Sequence, residues 1–222
     1  MATAILGATS AIGREIAGVL ARQGKDLLLF ARSPVDETMK RLDVLDFDEE
    51  IFRADLQSKG RLEGVILCVG YLGDNIRAFS DPEEDARIMD TNYTGSARAL
   101  DIASDVMTGG YICALSSVAG DRPRRKVFSY GKAKAALNDH LDRMRRRLAS
   151  KGVRVVTVKL GSVDTRMVTH RRKHPFVISA TDAAEQIVQA AETVNGTVYL
   201  PGKWRIIMGV MKLVPQFIYQ KL

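Results

Sequence analysis

The chain has two cysteines and one tryptophan, aromatic side chains make up only 6% of it, and no apolar stretch nears the roughly 20 residues that cross a bilayer. Each shortage excludes something. Cys68 and Cys113 both sit inside apolar runs, so they read as small core residues rather than a disulfide or metal pair, which fits a reducing compartment. His170 and His174 have no cysteine or acidic companions at ligand spacing, so no metal site is expected. Residues 1–13 show no basic start followed by a cleavable apolar run; a strand-like segment begins at once, and a cytoplasmic protein is expected. No internal repeat or low-complexity stretch is present. The net charge of +7 favours an anionic partner, but the scarcity of aromatics and the lack of a recognition motif argue against nucleic acid.

What is present is a globular composition. Over 222 residues, 46% hydrophobic and 27% charged, the chain suits one large domain with a substantial core. Short apolar runs recur at residues 3–8, 26–31, 41–44, 64–70, 110–117, 153–160 and 196–201, rich in Val, Ile and Leu, as strands covered on both faces are. Helical patterns lie between them at 12–24, from Pro82 to Met107, and at 129–152. The last carries Ala135, Leu137, Leu141, Met144 and Leu148 at helical spacings and ends at Gly152. This alternation predicts an α/β, doubly wound parallel sheet, with ligands at the carboxyl ends of the strands. Residues 32–63 are too few for two helices and a strand, so one helix there is expected to shrink to a turn.

Gly7-Ala8-Thr9-Ser10-Ala11-Ile12-Gly13 follows the first strand and opens a helix. Gly7 permits a tight turn, Gly13 lets the helix pack closely, and the loop amides with the helix N-terminus suit a pyrophosphate. Ala11 stands where the nucleotide-binding pattern has its middle glycine. After the second strand comes Ala31-Arg32-Ser33, with no acid before Asp36. An acid there would bind a ribose 2′-hydroxyl; Arg32 instead suits a 2′-phosphate, favouring NADP(H) over NAD(H).

Tyr130 and Lys134 lie one helical turn apart, on one face. A phenol with a pKa near ~10 is a poor acid–base catalyst, and an adjacent ammonium and a positive nicotinamide ring are expected to lower it. Ser117 ends the 110–117 run and can hold a substrate oxygen; alternation points Ser116 to the other face. Asn92 is expected within the fourth helix.

The glycine loop, Asn92, Ser117, Tyr130 and Lys134, in this order, resemble the fingerprint and catalytic tetrad of the short-chain dehydrogenase/reductase family over almost the whole chain. The resemblance implies a single Rossmann-type domain over 1–202, hydride transfer between NAD(P)(H) and a carbonyl or alcohol, and a homo-oligomer. It implies that Asn92 holds a water in a proton relay with Lys134, which also binds the nicotinamide ribose. Asp43-Val44 is similar to the family's adenine-side pair. Leu160-Gly161-Ser162-Val163-Asp164-Thr165 is similar to its nicotinamide loop, with Leu160 in place of a proline. Cys68-Val69-Gly70 replaces an Asn-Ala-Gly. The implied cofactor contacts are Gly7, Thr9, Ser10, Ala11, Ile12, Gly13, Arg32, Asp43, Val44, Gly70, Tyr130, Lys134, Val163 and Thr165.

Residues 70–74, 92–94, 116–125 and the ending 204–222 further resemble decaprenylphosphoryl-2-keto-ribose reductases. That implies a polyprenyl-phosphate-linked 2-keto pentose as substrate and a flavin oxidase as partner. Arg122, Arg124 and Arg125 lie where they can grip a phosphate; a solvated loop or a subunit contact is the alternative. Residues 203–222 are amphipathic, basic and broken by Pro215, fitting a substrate lid, a subunit contact, or peripheral contact with the inner face of the plasma membrane. Arg171-Arg172-Lys173 and the flanking histidines fall where the family carries its lid. Two other functions compete: a general carbonyl reductase or alcohol dehydrogenase for small or lipophilic substrates, and a nucleotide-sensing protein without catalysis. The intact Ser117, Tyr130 and Lys134 argue against the second.

Overall fold

The computed structural model describes residues 1–165 and 176–215. His170, Arg171, Arg172, Lys173 and His174 lie outside the described residues, as do residues 216–222 of the tail. In chain order the elements are β1 (Ala2–Leu6), α1 (Ala11–Arg22), β2 (Asp26–Ala31), β3 (Met39–Arg41), α2 (Glu49–Gln57), β4 (Leu62–Leu67), α3 (Pro82–Met89), α4 (Gly95–Val106), β5 (Gly110–Ser117), α5 (Phe128–Leu148), β6 (Val153–Leu160), α6 (Ala180–Thr193), β7 (Gly196–Leu200) and α7 (Lys203–Leu213). The strands form one parallel sheet in the order β3-β2-β1-β4-β5-β6-β7. This is a single-domain Rossmann fold. No helix among the described residues is long and apolar enough to cross a membrane.

Side-chain alternation explains the layers. Ala4, Leu6, Val65, Leu67 and Ile112 face one side and pack with Leu100, Leu137, Leu141 and Met144 of α4 and α5. Ile5, Ile66, Tyr111, Cys113 and Val156 face the other and pack with Ile16, Leu20, Ala184 and Ile187 of α1 and α6. Each large aliphatic buried this way contributes about 1.5–3 kcal/mol. Both cysteines are free and buried, as their apolar surroundings predict. Burial pushes both thiols up, Cys113 to about 12, so neither is a thiolate at neutral pH.

Three details differ from expectation. The third strand spans Met39–Arg41 rather than 41–44: Leu42 still donates to the Ala31 carbonyl of β2, and the chain then turns at Asp43–Asp46, with Leu42 and Val44 buried. β4 stops at Leu67, which frees Cys68-Val69-Gly70 to line a cleft. Asn92 lies not inside α4 but in a π-helical turn, Asp90–Thr94, joining α3 to α4. The expected shortening between β2 and β4 is present: α2 is the only α-helix there, and β2 reaches β3 through turns.

Candidate active site

Two clefts open beside the carboxyl ends of the strands. The first, about 310 Å³, is bounded by Gly7, Thr9, Ser10, Arg32, Asp43, Val44 and Gly70, all expected cofactor contacts, together with Tyr71 and Thr91. Gly7 adopts φ +89°, a left-handed value suited to glycine, and a Cβ there would stand 3.0 Å from the backbone of Cys68 and Val69. At Gly13 a Cβ would meet the Gly7 carbonyl oxygen at 2.4 Å, so α1 can start this close to β1 only with glycine. Ser10 is the N-cap of α1, its hydroxyl accepting from the Gly13 amide at 3.0 Å.

The first turn of α1 carries no acidic residue, leaving its positive end clear for an anion. Arg32 is exposed at the cleft edge and forms no salt bridge with a described residue. These features fit a dinucleotide, with pyrophosphate at Gly7–Gly13 and adenine ribose toward Arg32. Ala11 and Gly13 shape the turn without lining the cleft.

The second cleft, about 350 Å³, contains Ser117, Tyr130, Ile12, Val163 and Thr165. Its walls are largely apolar: Leu72, Val118, Val127 and Leu160 from the body, and Trp204, Ile207, Met208 and Met211 from α7. β5 carries Ser117 at its end, and the first turn of α5 carries Tyr130. The Ser117 hydroxyl accepts from the Ala119 amide at 3.1 Å and lines the same cleft as Tyr130. Ser116 instead donates to Asn138 Oδ1 of α5 at 2.6 Å.

Lys134 is buried, its ammonium 5.8 Å from the Tyr130 ring centroid and donating to the Leu115 carbonyl at 3.0 Å. Burial pushes the Tyr130 phenol up to about 12, opposed by the nearby Ser117 hydroxyl, and pushes Lys134 down to about 8. In the protein itself desolvation is the dominant influence on the phenol, and the fall expected with the ammonium and the nicotinamide ring together concerns the cofactor-bound enzyme.

Asn92 is fully enclosed. Its Nδ2 donates to the carbonyls of Tyr71 (2.6 Å) and Ile88 (2.8 Å), and its Oδ1 accepts from the Tyr71 amide at 3.2 Å. Here Asn92 braces the loop after β4 through direct bonds. π-Helical turns are frequent at functional sites.

Of the three arginines, Arg122 and Arg124 border the second cleft and Arg125 does not. Arg125 falls in a short turn, Arg125–Val127, and is exposed, as the solvated-loop alternative would have it. Arg122 donates to the Met211 carbonyl and so ties the loop after Ser117 to α7. A second tie comes from Asp121, whose carboxylate takes Lys159 at 2.5 Å, the Tyr199 hydroxyl at 2.8 Å and Lys212 of α7 at 3.2 Å. Sequence reasoning missed these ties; of the readings given to residues 203–222, the substrate lid is the one that the four α7 residues lining the cleft support. The apolar spacing of Trp204, Ile207, Met208 and Met211 was the available signal.

The sequence model of the short chain dehydrogenase family matches residues 2–175. Over 98% of its length the chain is 30% identical to an uncharacterized oxidoreductase of Streptomyces coelicolor, covering 94% of that protein. It is 27% identical to one of Mycobacterium tuberculosis, over 98% of this chain and 95% of that protein. A short chain dehydrogenase from Burkholderia cenocepacia, solved in complex with NADP, superposes with a TM-score of 0.77 at 22% identity, covering 96% of this chain and 98% of the other. A short-chain type dehydrogenase/reductase from Mycobacterium ulcerans gives 0.77 at 21% identity over 89% and 87%.

Proposed function

Because the chain belongs to the short-chain dehydrogenase family and is an NAD(P)-dependent oxidoreductase, we propose that it reduces a ketone carried on a lipophilic molecule, with NADP(H) as its cofactor. The observation that carries this reading is that Ser117 and Tyr130 line one cleft whose walls are mostly apolar. When bound, the nicotinamide supplies the hydride. Ser117 holds the carbonyl oxygen, and the protonated Tyr130 gives its proton as that oxygen becomes an alcohol. Lys134, one turn along, steadies the phenolate left behind and, by the family likeness, would hold the nicotinamide ribose.

Arg32, at the far end of the first cleft, supports NADP(H) over NAD(H), since a guanidinium and a 2′-phosphate pair through parallel hydrogen bonds. Arg124 at the rim of the second cleft supports a phosphorylated lipid, and the polyprenyl-phosphate-linked 2-keto pentose is the substrate of that kind we put forward. A flavin oxidase that makes the ketone, and a homo-oligomeric enzyme, belong to this version. A general reductase of lipophilic ketones is favoured equally by the apolar walls. The distinguishing measurement is NADPH consumption with a lipid-phosphate keto-pentose beside a neutral lipophilic ketone, using Tyr130→Phe as control. Arg124→Ala should weaken the phosphorylated substrate alone; equal loss on both leaves the general reductase, and no turnover of either by the parent enzyme removes the whole proposal.

The outer face of α7 supports contact with an anionic lipid surface. Ile206, Val210 and Leu213 are 74%, 60% and 84% exposed, on a helix that also carries Lys203 and Arg205. Flotation with anionic liposomes should be lost when these three residues become serine. Flotation that survives the change would place the lipid contact elsewhere.

A further inference from the structure

Tyr130 is the third residue of α5, and its position depends on how that helix begins. The N-cap, Val127, has no side-chain acceptor to offer, although the first amides of a helix lack partners within it. One of these amides, that of Tyr130 itself, donates to Oδ1 of Asn75 at 2.9 Å. Asn75 lies in the loop after β4 and is 4% exposed. Its Nδ2 donates to the Leu72 carbonyl at 2.7 Å. The amide orientation is therefore fixed, since a flipped group would set donor against donor and acceptor against acceptor.

The loop holding Asn75 is itself anchored. Asn92 grips the Tyr71 amide and carbonyl, and the Glu84 carboxylate takes the Asp74 amide at 2.7 Å and the Tyr71 hydroxyl at 3.1 Å. Leu72, within the same loop, forms part of the cleft that contains the phenol. One bonded path thus runs from the π-helical turn, through the loop, to the backbone of Tyr130.

We infer that Asn75 is a positioning residue for Tyr130: from a separate loop it supplies the cap that α5 lacks, and so sets the first helical turn that carries the phenol against Ser117. It lines neither cleft and acts through the tyrosine. By the same route Asn92 contributes to the placement of Tyr130 through side-chain-to-backbone bonds.

The inference rests on the reductase reading for its kinetic arm only. With NADPH and phenanthrenequinone as the probe carbonyl, Asn75→Leu, close in shape but unable to accept or donate, should lower kcat about 10- to 100-fold while leaving the KM for NADPH unchanged. Asn75→Asp keeps the acceptor for the Tyr130 amide but sets its second oxygen against the Leu72 carbonyl, so its kcat should lie between those of Asn75→Leu and the parent. Amide hydrogen exchange of residues 128–131, measured without substrate, should accelerate more in Asn75→Leu than in Asn75→Asp, at a temperature where both remain folded.

Unchanged exchange in Asn75→Leu overturns the inference. So does an unchanged kcat in an active enzyme, or an Asn75→Asp enzyme no better than Asn75→Leu. A parent enzyme inactive on every carbonyl tried would count against the reductase reading instead, and the exchange comparison would still decide the role of Asn75.

Discussion

The Lys134 ammonium sits 5.8 Å from the centroid of the Tyr130 ring, and burial moves the two groups in opposite directions, the phenol up to about 12 and the ammonium down to about 8. Each shift disfavours charge. At neutral pH the phenol therefore holds its proton, which is the state a proton donor requires in the reducing direction.

The lysine's shift has a signature in stability. Between pH 8 and 10.5 the unfolded chain keeps a proton on Lys134 that the folded chain has released, so this group's contribution to stability rises with pH across that window. Below it, the folded protein carries a buried cation at a cost of roughly 3 kcal/mol. Lys134→Met should remove this dependence. Plotted against pH, the unfolding free energy of the variant minus that of the parent should fall steadily from pH 8 to 10.5. A flat difference would contradict the burial of the charge. Using the difference matters, because Cys68, Cys113 and Tyr111, all pushed up by burial, make stability decline with alkali in both proteins.

Arg32→Glu exchanges a phosphate partner for a group that repels phosphate and can hydrogen-bond a ribose hydroxyl. A hydrogen bond to a charged group is worth about 1.5–3 kcal/mol, so the KM for NADPH should rise at least tenfold while that for NADH holds or falls. Equal changes with the two cofactors would show that Arg32 is a solvated side chain.

Gly161 and Trp204 meet so closely that a Cβ on Gly161 would lie 1.9 Å from the indole nitrogen. Gly161→Ala must push α7 outward, at a cost of about 1–3 kcal/mol for overpacking. Trp204 is the chain's one tryptophan, so its emission reports this movement directly. A red shift with a higher KM for bulky ketones is expected, and unaltered emission would mean that α7 does not rest on the loop after β6.

Asp121 has a side chain only 3% exposed, and Lys159 one of 11%. The carboxylate is held below the ordinary range: burial raises it, but hydrogen bonds from Lys159 and Tyr199 more than offset this. Asp121→Ala strands a buried cation and should cost about 3–5 kcal/mol in urea unfolding, with Lys212 also released. A loss under about 1 kcal/mol, the scale of an exposed pair, would contradict the buried network.

Much of this was legible in the chain. β5 and β6 coincide with the apolar runs 110–117 and 153–160, because strands covered on both faces are largely apolar. The Gly7–Gly13 turn and the Tyr130–Lys134 spacing are local, and local patterns survive in sequence. Asn75 left no such mark. Its partner lies 55 residues away, and an asparagine in a loop has no periodicity to betray it. The phenol's upward shift was missed for a related reason, since the walls that desolvate it come from segments distant in sequence.

α7 begins at Lys203, beyond the stretch of residues 2–175 that matches the family, yet its inner face helps to close the cavity around the Tyr130 phenol. Half of the cleft's apolar walls are thereby written apart from Ser117 and Tyr130. Exchange of eleven consecutive residues can remodel what fits against that pair without altering either residue. For an engineer, α7 is a replaceable cartridge, with Asp121 and Arg122 as the fittings that any substitute must engage.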